Sequence, residues 1–340
     1  MKRVHFILLL SFASVALFAQ PSERPKVALV LGGGGAKGAA EVGVLKYIEQ
    51  SGVPIDMIVG TSIGSIIGGL YAVGYNSGQL DSLFRSQEWL DLLTDRSADN
   101  IGKIFTKEDG QTYLMGFPIN LNFKKKEGKK FRLGALRGDS IVSTLERMTN
   151  ITDSIDFDDL PIPFRCVAVD VNTMEEVVLS SGSLAQAMRA SMAIPLAFRP
   201  ILLNNRTLVD GGVLNNLPVD AAKAMGADIV IAVDLTVNKH DEKGNDASLF
   251  DTEDNSIFPS LDKLGILSAA QWALFRPDIK KYHHNLQLVD IYINPNLQGY
   301  GAHSFMPTKI SEMISLGEQT GKKSLKALKS LRKKIEKYNR

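Results

Sequence analysis

The chain has 340 residues, a formal net charge of +2, 22% charged and 44% hydrophobic residues. That balance supplies apolar material for a large core and excludes a disordered tail or a fibre. Length alone suggests about two domains, although α/β folds often use this much chain as one. The single cysteine, Cys166, excludes an internal disulfide and, inside the apolar stretch FRCVAV, reads as a buried strand residue.

MKRVHFILLLSFASVALFAQ combines a basic start, an apolar run from Phe6 to Phe18 and a small residue at Ala19. This is the pattern of a secretory signal peptide over residues 1–19. The run is shorter than the ~20 apolar residues of a spanning helix, and polar QPSERPK follows it. Export to the periplasm or out of the cell is expected, with no lipid anchor on an N-terminal cysteine.

KVALVLG then reads as a buried strand ending in glycines, and AAEVGVLKYIEQ as a helix stopped by Gly52. MIVG is a second strand, leading through Ser62 into a helix reaching about Val73. Strand, helix, strand, helix with buried-type strands predicts an α/β fold whose mainly parallel sheet is covered on both faces. From 77 to 145 the pattern is helical and then irregular, with a basic stretch, NFKKKEGKKFR, at 122–132. That stretch suits a solvated turn or an anionic membrane surface.

FRCVAVD (164–170) and EVVLS (176–180) read as paired strands, and ILLNNRTLVDGG (201–212) as a hairpin turning at Asn204 and Asn205. DIVIAVDL and DIYINP are further strands, separated by the acidic stretch 238–257. Residues 321–340 predict a basic helix with Leu325, Leu328, Leu331, Ile335 and Tyr338 on one stripe, suited to docking on its own domain or lying on a membrane.

Gly60-Thr61-Ser62-Ile63-Gly64 fits G-x-S-x-G, the strand-to-helix elbow that pushes a serine hydroxyl into a pocket. A serine acyl-transfer site also needs donors for an oxyanion, and LGGGGAKG can converge several backbone N–H groups at a helix start. Lys37 is a candidate to support the same charge or to serve as a structural side chain.

Two rival uses of the glycines fail. A dinucleotide site wants an acidic residue at the end of the second strand, where Gly60, Thr61 and Ser62 stand. A P-loop wants Gly-Lys followed by Ser or Thr, and here Lys37 lies between Ala36 and Gly38.

For the base, His240, His283, His284 and His303 follow the serine in order but sit in polar stretches or turns. Asp210, after an apolar strand and before two glycines, is the better candidate. A carboxylate bonded directly to a serine hydroxyl in a water-poor site can take its proton, and it suits ester leaving groups. Capping the turn is the alternative role of such an aspartate.

GGGGAKG, GTSIG, ASMAIP (190–195) and DGG in this order resemble the patatin-like phospholipase family, over residues 26 to about 320, including NPNLQGYGAHSF. The resemblance implies a three-layer α/β/α fold and lipid acyl hydrolysis by a Ser62–Asp210 dyad. It also implies the amides of Gly33, Gly34 and Gly35 as oxyanion hole and no metal or other cofactor. Some bacterial members continue into an outer-membrane barrel; none is expected after this basic helix. The expected partner is a phospholipid or lysophospholipid met at a membrane surface, with no nucleic acid or nucleotide, and the oligomeric state is left open. The competing functions are a histidine-dependent esterase or thioesterase of small acyl esters, and a non-catalytic lipid-binding protein.

Overall fold

The run VALVL is strand β1 (Val27–Leu31), and all five residues are buried. A strand covered on both faces needs no polar alternation, which is why the run shows none. The computed structural model describes residues 24–86, 89–93, 105–108, 111–114, 136–195, 197–236, 279–302 and 304–338. Residues 1–19, read above as a signal peptide, the stretches 122–132 and 238–257, His240 and His303 lie outside the described residues.

After β1 come α1 (Ala39–Ser51), β2 (Met57–Thr61), α2 (Ile63–Ala72), α3 (Ser77–Ser86), α4 (Trp89–Leu93) and a hairpin of β3 (Phe105–Glu108) and β4 (Gln111–Leu114). Then follow α5 (Asp139–Thr149), β5 (Ser154–Asp156), β6 (Phe164–Asp170), β7 (Glu175–Leu179), β8 (Ser181–Ser183) and α6 (Leu184–Ser191). The remainder is β9 (Ile201–Leu203), β10 (Arg206–Asp210), α7 (Val219–Ala224), β11 (Ile229–Val233), α8 (Ile279–Gln287), β12 (Ile291–Ile293) and α9 (Pro307–Glu336).

The main sheet runs β12-β11-β1-β2-β6-β10-β9, with β7 also paired to β6. β12, β11, β1, β2 and β6 are mutually parallel. The hairpins β6–β7 and β9–β10 add an antiparallel margin, and Asn204 and Asn205 take the left-handed turn positions expected of them.

Side-chain alternation sorts the two faces. Val27, Leu29 and Leu31 belong to a core that includes residues of α1, α2, α3, α5, α6 and α9. Ala28 and Val30 belong to a second core with residues of α7 and α8. The result is the α/β/α arrangement of three layers.

The basic segment expected from residue 321 is not a separate element: up to Glu336 it is the second half of α9, which begins at Pro307 and packs along α1. Proline is tolerated at a first helical position because that N–H would have no intrahelical acceptor. Leu328 and Ile335 are buried in the main core and Leu331 packs partly against it, whereas Tyr338 is exposed.

Candidate active site

Strand β6 brings the two halves of the site together. Its Val167 pairs with Thr61 of β2 on one edge and Val178 of β7 on the other; the next residue, Ala168, pairs with Asp210 of β10 and Val177 of β7. β2 and β10 therefore share one edge of β6 and run toward each other. They meet end to end, one stopping at Thr61 and the other at Asp210.

Ser62 follows immediately and turns with φ 54° and ψ −123°, a left-handed conformation that costs a non-glycine residue about 1–3 kcal/mol unless its surroundings enforce it. Here they do. A Cβ on Gly60 would overlap the Gly64 carbonyl, and one on Gly64 would overlap the Leu31 carbonyl. The Ser62 carbonyl accepts from the amide of Ser65 at 2.9 Å and from its hydroxyl at 2.6 Å, capping the start of α2.

Ser62 Oγ donates to Asp210 Oδ2 at 2.7 Å, while Asp210 Oδ1 accepts from the Gly212 amide at 2.7 Å. Both residues are only 5% exposed. Burial pushes the Asp210 carboxyl up to about 6, against the opposing pull of its hydrogen bonds from Ser62 and Gly212. A carboxylate so placed is a stronger base than one in water.

A third segment holds both partners. Ser191 Oγ donates to the Val167 carbonyl at 2.6 Å and accepts from the Ser62 amide at 3.0 Å, and the Ala193 carbonyl accepts from the Asp210 amide at 3.0 Å. Ser191 was not among the residues singled out from the sequence. Its only local signal is a hydroxyl within the otherwise apolar ASMAIP.

The glycine loop corrects one expectation. The Gly33 amide donates to the Asn216 carbonyl at 3.0 Å, and Asn216 Nδ2 donates back to the Gly33 carbonyl at 3.1 Å. Gly33 is thereby locked and its N–H is not available to an oxyanion. The amides of Gly34 and Gly35 have no acceptor among the described residues, and Gly35 lines the cavity at Ser62. Lys37 is buried and is not among the residues that line that cavity. Neighbouring Asn215 braces β2, its carbonyl accepting from Thr61 Oγ1 at 2.9 Å.

The cavity measures about 190 Å3. Its walls come from α2, from α3 and α4, from α5 and from the segment following α6, and among the described residues Ser62 and Thr144 supply its side-chain hydroxyls. Among the histidines, His283 and His284 lie on α8 beside Tyr282, which packs in the core on the opposite face of the sheet. Cys166 is a buried free thiol in β6, raised well above its ordinary pKa by burial. Among the described residues no cluster of His, Cys, Asp or Glu side chains could hold a metal ion.

Fold and site together define an α/β protein in which the serine of a strand-to-helix elbow is hydrogen-bonded to a strand-end carboxylate. A family model described as "Patatin-like phospholipase" matches residues 29–223. The chain belongs to the patatin-like phospholipase family. It is 33% identical over 212 residues to patatin-like phospholipase domain-containing protein 7 of Mus musculus, covering 62% of this chain and 13% of that protein. Lysophospholipase nte1 of Aspergillus fumigatus is 31% identical over 321 residues, covering 89% of this chain and 18% of the relative. The chain thus spans less than a fifth of either relative's length. Among solved structures, VipD from Legionella pneumophila is similar at 14% identity and a TM-score of 0.47, over 89% of this chain and 67% of that one.

Proposed function

We propose that the protein is a serine lipid acyl hydrolase of phospholipase A or lysophospholipase type, working through an acyl-Ser62 intermediate. The observation that carries this reading is the 2.7 Å hydrogen bond from Ser62 Oγ to a buried Asp210 carboxylate. Family membership and the relative named as a lysophospholipase support the substrate class.

As Ser62 Oγ attacks the ester carbonyl carbon, its proton passes to Asp210 Oδ2. The carbonyl oxygen, now negative, faces the amides of Gly34 and Gly35, with the positive end of α2 beside the nucleophile. Collapse of the tetrahedral species breaks the ester C–O bond, and Asp210 returns the proton to the departing alcohol. Water then attacks the acyl-Ser62 carbonyl, gives a proton to Asp210, and releases the fatty acid as Ser62 Oγ takes that proton back. An ester suits this weak base because an alkoxide leaves more readily than an amide anion.

Export by residues 1–19 and access to the substrate at a membrane surface belong to the same reading. The N-terminal sequence of the exported protein tests the first.

The decisive experiment is labelling with a fluorophosphonate probe and peptide mapping, on the wild type and on Asp210→Ala. Labelling at Ser62 that is lost in the folded variant is expected. Undiminished labelling of Asp210→Ala would remove the dyad, and no labelling or ester cleavage by wild type would favour a lipid-binding protein.

A further inference from the structure

Of the walls around the cavity, two have a regular spacing. Ile63, Ile66 and Leu70 of α2 line it, and so do Ile141, Leu145 and Met148 of α5. Positions three and four apart share one face of a helix, so each helix offers the cavity a continuous apolar stripe. Each stripe covers eight residues, so its ends are seven steps apart, or about 10 Å at the helical rise of ~1.5 Å per residue.

Both stripes have fixed ends. Ser62 caps the start of α2, so the reacting oxygen stands where the α2 stripe begins. At the other end the Tyr75 hydroxyl donates to the Met148 carbonyl at 2.9 Å, and the Tyr75 amide donates to the Leu70 carbonyl at 3.0 Å. Tyr75 thereby ties the end of α2 to the end of α5 beside the last lining residue of each helix.

We infer that the cavity is a closed-ended acyl-chain slot running along α2 from Ser62, and that Leu70, Met148 and the Tyr75 bridge set the longest chain it takes. The inference rests on the hydrolase reading above and adds the part of the substrate this site measures. A single saturated chain suits it, because among the described residues the walls between the two ends offer the Thr144 hydroxyl as the one side-chain hydroxyl. Each methylene that enters leaves water and gains roughly fourfold in binding or in kcat/KM. A methylene beyond the end wall gains nothing or must displace packed side chains.

The test uses the full chain and p-nitrophenyl esters of graded saturated chain length, each kept below its aggregation concentration. For the wild type, kcat/KM should climb to a break at the chain that spans about 10 Å from the carbonyl carbon. Met148→Ala opens the end wall and should move the break to longer chains, with about a tenfold gain for the first ester past the wild-type limit. Ile66→Phe fills the middle of the slot and should move the break to shorter chains. A folding defect would lower every chain length together, so opposite displacements by the two variants are diagnostic.

A break that neither variant moves, or that both move the same way, overturns the slot. If no ester is cleaved, displacement of a fluorescent fatty acid by fatty acids of graded length reads the same profile. A break displaced oppositely by the variants would then uphold the slot while the hydrolase reading fails, and a flat profile would overturn the slot as well.

Discussion

Replacing Asp210 by Asn probes the site through folding stability, with no substrate involved. The carboxyl has an ordinary pKa of 3.8 and is pushed up to about 6 in the fold, chiefly by burial. A carboxyl that binds its proton more tightly when folded contributes fully to stability below 3.8, and loses that contribution as pH rises to about 6. Above that, the buried charge costs roughly 3 kcal/mol, at about 1.4 kcal/mol per pH unit. An amide has no such charge, yet its oxygen can accept from the Gly212 amide and its nitrogen can donate to Ser62 Oγ. Asp210→Asn should therefore be as stable as wild type near pH 4 and gain about 1–3 kcal/mol between there and pH 7, with no further gain above. Denaturant titrations of both proteins at pH 4, 5, 6, 7 and 8 measure this, and loss of hydrolysis at every pH accompanies it. A variant less stable than wild type at pH 8, or a difference that ignores pH, would show that burial does not dominate the carboxyl.

The same raised carboxyl predicts that kcat/KM for a soluble ester rises with pH to a plateau with its midpoint near 6, since only the ionised form accepts the serine proton; a midpoint near 4 would argue against Asp210 as base. Ser191→Ala removes the acceptor of the Ser62 amide and should lower kcat by about ten- to a hundredfold with KM little changed. Ser191→Thr, which keeps the hydroxyl, should recover most of that loss, and a purely structural role would show instead as equal instability of both variants. Gly64→Ala places a methyl against the Leu31 carbonyl, which should cost about 1–3 kcal/mol in denaturant titration and abolish fluorophosphonate labelling of the folded fraction. His283→Ala and His284→Ala, on the far layer of the sheet, should leave hydrolysis unchanged, and loss of activity in either would restore a histidine base.

Strands β1 and β11 were legible because their whole length is apolar: VALVL and IVIAV contain nothing a surface would keep. Helix α1 carried its own stop signal, and Gly52 does end it in the left-handed region at φ 69°. The start of α9 was missed although Pro307 marks it, because the basic run after Gly321 is the louder local pattern while the first half of the helix lies quietly along α1. Gly33 shows a different limit. Three consecutive glycines look equivalent in sequence, and which amides remain available is decided by Asn216, 183 residues away. Ser191 was hidden for the same reason, since its two partners, Ser62 and Val167, are remote in the chain.

The placement of Asp210 follows from strand pairing rather than from any motif. Because β2 and β10 occupy the same edge of β6 from opposite directions, the ladder has room for neither to continue: Thr61 is opposite Val167 and Asp210 is opposite Ala168. Two strand ends confronted in this way must both turn out of the sheet. Ser62 does so into α2, and Asp210 does so over Gly211 and Gly212. Their side chains then face each other across the junction at hydrogen-bond distance, with no space for a ring between them. An imidazole base would need that space. The short aspartate side chain spans the gap directly, and burial raises its carboxyl to about 6. The Ser–Asp hydrogen bond is thus a consequence of an antiparallel hairpin joining a parallel sheet on the edge that β2 already holds.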